Sequence, residues 1–117
     1  MEFNLPTPED QNALPPVEVR FLDVHVEPWP DGKRVRVHVT LTPFQARPNL
    51  LITITTPTGE EVCSASIIES MEDRFVFTLH LRGEPVIEYT LAAQILYDDI
   101  GVVDQRSLTF AAPVPSA

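Results

Sequence analysis

A chain of 117 residues is the size of one domain and is long enough to bury a core without metals or disulfides. With 8 basic residues against 17 acidic ones the formal net charge is −9, which argues against nucleic acid and anionic membranes as main partners because both repel an acidic surface. No run of about 18 apolar residues occurs, so no transmembrane helix is expected.

The opening Met1-Glu2-Phe3-Asn4-Leu5-Pro6 has neither a basic nor an apolar leader region, so no signal peptide is read there. The single Cys63 has no partner for an internal disulfide. Together these set a cytoplasmic location as the expectation. The 12 prolines are about twice average usage. Proline cannot donate to a sheet ladder, so their clusters outline loops and strand ends.

Residues 1–16 mix proline and polar residues without periodicity and read as a flexible tail. From residue 17 the apolar residues alternate at period 2, the mark of half-buried strands. The first strand covers about 17–27, with Val17, Val19 and Phe21 on one face and Leu22, Val24 and Val26 on the other parity. That switch at Phe21-Leu22 predicts a bulge. Pro28-Trp29-Pro30-Asp31-Gly32 is a turn signal that closes a hairpin. The second strand, about 33–42, points Val35, Val37, Val39 and Leu41 inward.

A third strand at about 49–56 carries Leu50, Ile52 and Ile54 on its inner face, and Thr56-Pro57-Thr58-Gly59 turns the chain. A fourth, about 61–68, points Cys63, Ala65 and Ile67 inward. After the polar Glu69–Asp73 connection, a fifth at about 74–82 does the same with Phe75, Phe77, Leu79 and Leu81. The sixth, about 87–97, places Tyr89, Leu91, Ala93, Ile95 and Tyr97 on one face. Asp98-Asp99-Ile100-Gly101 leads into a seventh at about 102–110. There Asp104 and Arg106 share parity with Leu108 and Phe110, so either a bulge lies near Gln105 or the strand enters the core late. Residues from Ala111 on are expected to fray.

Seven short strands with regular turn signals and no helical window predict an all-β, seven-stranded antiparallel β-sandwich spanning about 17–110. The segment Glu88-Tyr89-Thr90-Leu91-Ala92-Ala93 resembles the tyrosine-corner strand of immunoglobulin-like and fibronectin type III-like sandwiches. That resemblance implies that the Tyr89 hydroxyl caps the preceding loop and that the first, second and fifth strands are neighbours. The chain departs from those families in lacking a tryptophan in the second strand and the inter-sheet disulfide. Its Glu27-Pro28-Trp29-Pro30-Asp31-Gly32 stretch is similar to one in an uncharacterised bacterial protein family, which implies no function.

Four groups are candidate sites. His25, His38 and His80 lie on the outward parity of neighbouring strands. Three imidazoles with an open fourth position suit zinc or copper, whereas the plainer reading makes them surface residues. Trp29, between two prolines, is either an exposed contact residue or, the favoured reading, a plug at the end of the sandwich. Asp98 and Asp99 at a loop tip are candidate partner contacts and, with Asp104 nearby, candidate calcium ligands, set against an ordinary solvated turn. Cys63 shares a face with core residues and is read as buried and inert. Cross-strand pairing is expected to bring Glu27 near Arg34 or Arg36.

No cofactor motif is present and no catalytic residue is nominated. The expectation is a non-enzymatic binding or assembly module acting through loop tips, a sheet face or an edge strand, its partner a protein. The fourth and seventh strands are the expected edges, and edge pairing offers a route to a homodimer. The alternative is a metal- or small-ligand-binding protein that uses the histidine-bearing face.

Overall fold

The structure, a computed structural model, describes residues 13–83 and 86–112. It is all-β, with seven antiparallel strands in two sheets that form a sandwich. The strands are β1 (Phe21–Pro28), β2 (Arg34–Leu41), β3 (Asn49–Thr55), β4 (Glu61–Ile67), β5 (Arg74–His80), β6 (Glu88–Tyr97) and β7 (Gly101–Ala111). One sheet runs β1-β2-β5 and the other β4-β3-β6-β7. The first, second and fifth strands are therefore neighbours, as the resemblance implies, and the fourth and seventh are edges, as expected from the sequence.

The core follows from the alternation. Val35, Val37, Val39 and Leu41 of β2 are buried, as are Leu50, Ile52 and Ile54 of β3 and the whole inner row of β6 from Tyr89 to Tyr97. These three strands are the interior members of their sheets, so both their inner face and their edges are covered. β5 is an edge, and Phe75, Phe77 and Leu79 are accordingly only half-buried. The Tyr89 hydroxyl accepts a hydrogen bond from the Val86 N–H at 3.2 Å, the loop-capping contact that the tyrosine-corner resemblance implies.

Three register shifts interrupt the ladders. Leu22 is the extra residue of β1, where the sequence places its parity switch. Val103 is the extra residue of β7, two positions before the expected site near Gln105. Val62 is the extra residue of β4, and there both Val62 and Cys63 are buried rather than Cys63 alone. A bulge turns backbone groups out of their own ladder, and here charged side chains from the facing sheet take them up. Asp104 Oδ2 accepts the Phe21 N–H at 2.9 Å, and Arg106 Nη2 donates to the Phe21 carbonyl at 2.7 Å. Across the other seam Arg82 Nε donates to the Val62 carbonyl at 3.0 Å. The inward parity of Asp104 and Arg106 is thus real, but both reach along the β7 edge to β1 instead of entering the apolar core.

The folded part begins before residue 17. Leu14 bridges to Phe44, donating to the Pro43 carbonyl at 3.0 Å and accepting from Gln45 at 2.9 Å. Pro16–Glu18 form a short 3-10 turn where a strand is expected, because Pro16 sets the helical φ and has no N–H for a ladder. Most of the expected tail, residues 1–12, lies outside the described residues. At the other end Ala111 closes β7 and Ala112 is buried, its N–H donating to the Ile87 carbonyl, so these two residues do not fray as expected; the rest of that expected tail lies outside the described residues.

Asp104→Ala is expected to lower the unfolding free energy by about 1–2 kcal/mol, the worth of a charge-assisted hydrogen bond reduced for partial exposure. Asp99→Ala, in the solvated turn, is expected to stay within about 0.5 kcal/mol of the parent. Urea denaturation followed by far-UV circular dichroism checks both.

Candidate functional site

The outer face of β1-β2-β5 gathers most of the chemistry-bearing side chains. Its rows follow from the register: Asp23, Thr40 and Arg74, then His25, His38 and Val76, then Glu27, Arg36 and Thr78, then Arg34 beside His80. Each residue points out because its sequence neighbours point into the core.

His25 and His38 are directly opposed, and their rings stack with centroids 4.2 Å apart and 8° between planes. Each ring donates one nitrogen to a carboxylate: His25 Nδ1 to Asp23 Oδ2 and His38 Nε2 to Glu27 Oε1, both at 2.5 Å. Glu27 was expected to meet Arg34 or Arg36. It faces Arg36 in the ladder but bonds to His38, and Arg34 turns to Asp31 at 2.9 Å. The hydrogen bond from His38 holds the Glu27 carboxyl below the usual carboxylate range, helped by the charges of His38, Arg36 and His25. Asp31 is lowered as well, by the Lys33 N–H it accepts and then by Arg34.

His80 does not join the pair. It sits opposite Arg34, four residues along β2 from His38, a separation of about 13 Å at the usual rise per residue. The stacked rings also aim their in-plane lone pairs in parallel rather than at a common point, which a shared metal ion requires. Among the described residues no three His, Cys, Asp or Glu side chains are grouped to hold a metal ion. The three-histidine set His25, His38 and His80 is therefore not assembled in this structure. The same holds for calcium: Asp98 accepts from Asn49 at 3.1 Å in the β6–β7 turn, while Asp104 is held at the β1 seam.

Trp29 is partly buried, but it stands outside the core cluster and is not the plug at the sandwich end that was the favoured expectation. The turn folds it back over the outer face, where the Arg34 guanidinium lies 4.0 Å from the ring centroid and Arg36 6.0 Å. Its own N–H donates to the Arg34 carbonyl at 2.8 Å, and its carbonyl accepts from Gly32, whose φ of 70° closes the turn. Cys63 is buried and its thiol is pushed up by that burial, away from a reactive thiolate.

One feature of this face escapes the sequence reading. Beyond the Asp23 row an open groove of about 640 Å³ is lined by Leu22, Thr40, Glu72, Arg74 and Val76 among others. Leu22 and Val76 are more than half exposed there. The signal for it is the parity break at Leu22, since a bulge that saves the ladder must turn one apolar residue outward.

No family model matches the chain, and no curated protein matches it. Solved structures do share its fold. A β-glucuronidase from Ruminococcus gnavus in complex with D-glucuronic acid is similar with a TM-score of 0.58 and 16% identity, over 81% of this chain and 16% of that one. A Bifidobacterium dentium β-glucuronidase gives 0.65 and 14%, over 80% and 18%. A glycosyl hydrolase family 2 member from Bacteroides cellulosilyticus gives 0.58 and 15%, over 80% and 15%. The class defined is a β-sandwich resembling a small part of these much longer enzymes.

Two outcomes follow from this geometry. Equimolar zinc is expected to leave the thermal midpoint unchanged in a calorimetric scan, because the third ligand is absent. A group whose folded pKa is depressed adds stability above its unfolded pKa and loses it as pH falls through the folded one. Acidification below about pH 4 should therefore release the stabilisation from Glu27 and Asp31. Glu27→Gln is expected to flatten part of that fall in thermal midpoint.

Proposed function

We propose that the chain is a non-enzymatic, protein-binding module whose contact surface is the outer face of β1-β2-β5. The observation that carries this reading is Trp29, partly buried on the outer surface and stacked under Arg34 at the end of that face. Tryptophan and arginine are the residue types most enriched where a few side chains carry most of the binding energy. The proline-flanked turn holds the indole in place before any partner arrives, so little ordering cost remains to be met on binding. The stacked His25–His38 pair and the exposed Arg36 and Arg74 extend the surface toward the Leu22 groove. The titratable groups stand on an open sheet, not around a closed cleft, which supports a binding role over catalysis. The match to only 15–18% of the length of large glycosidases agrees with an accessory part, and no glycosidase activity is assigned to this chain.

A photo-crosslinking residue at position 36, used in a lysate of the native host, is expected to trap a partner that a crosslinker at position 60 does not. Trp29→Ala is expected to weaken that complex by more than about tenfold with the fold intact by circular dichroism. Undiminished binding by Trp29→Ala would remove this face as the contact surface. Turnover of a glycoside panel by the purified chain would overturn the non-enzymatic assignment.

A further inference from the structure

β5 is an edge strand, and its ladder decides which backbone groups are left over. Just past its two ends, Leu81 N–H donates to the Lys33 carbonyl and Leu41 N–H donates to the Asp73 carbonyl, both at 2.8 Å. Hydrogen-bonded pairs alternate in an antiparallel ladder, so Phe75, Phe77 and Leu79 turn their groups to β2. The N–H and C=O of Arg74, Val76 and Thr78 point away from it, and among the described residues nothing bonds to them.

The other edges are blunted. β1, β4 and β7 each carry a bulge, and β1 ends in Pro28. Bulges and prolines are means by which sheet edges avoid pairing with another chain. β5 runs from Arg74 to His80 without a register shift, a proline or a glycine.

We propose that the β5 edge takes up an extended segment of a partner protein by strand addition, a segment with carboxylates on its outer side and aliphatic residues on its inner side. The proposal rests on the reading of this sheet as the contact surface and names the chemistry of the partner. Residues directly opposite in a ladder share a face. One parity of an added strand therefore meets Phe75, Phe77 and Leu79. These three are only half-buried because their edge side is uncovered, so aliphatic side chains there complete the row.

The other parity meets Arg74, Val76, Thr78 and His80. Arg74 and His80 are exposed at the two ends of the edge, about 20 Å apart at the usual rise. Arg74 forms no ion pair among the described residues. The strands β2 and β5 hold no carboxylate. Those of β1, Asp23 and Glu27, are already bonded to His25 and His38. Carboxylates on the incoming strand supply what this half of the sheet lacks. A second copy does not: antiparallel self-pairing about Phe77 sets Arg74 of each copy against His80 of the other, with no carboxylate for either.

An amide NMR titration of the isotopically labelled full chain tests the proposal. The probe is the capped peptide Glu-Val-Thr-Val-Thr-Val-Glu, whose side-chain order is the same from either end and suits parallel or antiparallel addition. The largest shifts are expected at the amides of Arg74, Val76 and Thr78, saturating below about 1 mM peptide. The same peptide with lysine at both ends is expected to bind about tenfold more weakly, and Arg74→Glu to remove that preference. Thr78→Pro deletes only an N–H that faces away from the ladder, which an edge strand tolerates, and is expected to weaken binding about tenfold. Arg74→Glu suffices if Thr78→Pro misfolds. Absence of shifts at these amides overturns the proposal, as does equal binding of the lysine peptide. So do edge shifts that grow with protein concentration alone, which assign the edge to a second copy. The readout lies on β5, so it can fail while the Trp29→Ala result stands, and the reverse.

Discussion

The structure depends on how its two sheets are joined at their open sides. A sandwich has four edge strands, and each exposes backbone groups that seek partners. This chain bends three of those edges with bulges at Leu22, Val62 and Val103, and it meets the groups freed at Phe21 and Val62 with charged side chains from across the seam. Asp104 and Arg106 bracket both backbone groups of Phe21, and Arg82 takes the Val62 carbonyl. Each contact crosses from one sheet to the other. The seams are therefore held by directional hydrogen bonds, and the apolar core between them need only fill space.

Those seams also fix what each outer face presents. The bulge at Leu22 lets β1 keep Asp23, His25 and Glu27 outward while Phe21 stays in the core. Without it, a one-residue slip would bury the carboxylates and expose Val24 and Val26. The stacked histidines, the carboxylates that hold them and the groove at Leu22 are all consequences of that single inserted residue. On β7 the bulge at Val103 places Asp104 on the inner parity at the seam and leaves Gln105, Ser107 and Thr109 on the outside.

The alternation of small apolar residues made the fold legible. β2, β3 and β6 are interior strands whose inner rows are nearly all Val, Leu, Ile, Ala or Tyr, so parity alone names the core. The bulges at Leu22 and near Gln105 were visible as parity breaks, although the second lies at Val103. The bulge at Val62 was not, because Val62 and Cys63 are both small enough to pass for one inward residue beside a tolerated neighbour. The candidate site was legible only as a face. That His25 meets His38 while His80 lies about 13 Å away depends on the β1–β2 and β2–β5 registers, which the turn and the bulge set together. That Trp29 folds outward over Arg34 rather than inward depends on a cation–π contact between residues five apart, which no periodicity records.

The two outer faces lie back to back across a sandwich about 10 Å thick, and the core between them is close-packed. A perturbation on one face reaches the other only by moving Val37 and its neighbours against Ile52, Leu91 and Ala93, all almost completely buried. Such a core has discrete arrangements and does not deform continuously, and the seams at Phe21 and Val62 stop the sheets from sliding past one another. Substitutions on the histidine-bearing face and on the outer face of β4-β3-β6-β7 share no partners, so their effects should add. This independence lets an acidic chain gather its stacked histidines and their carboxylates on one outer face while the middle of the other outer face stays uncharged. The division follows from the alternation of β3 and β6, where every second residue is Thr, Ala, Gln or Leu and none is ionisable between Asn49 and Thr55 or between Tyr89 and Tyr97 except the tyrosines themselves, both of which face the core.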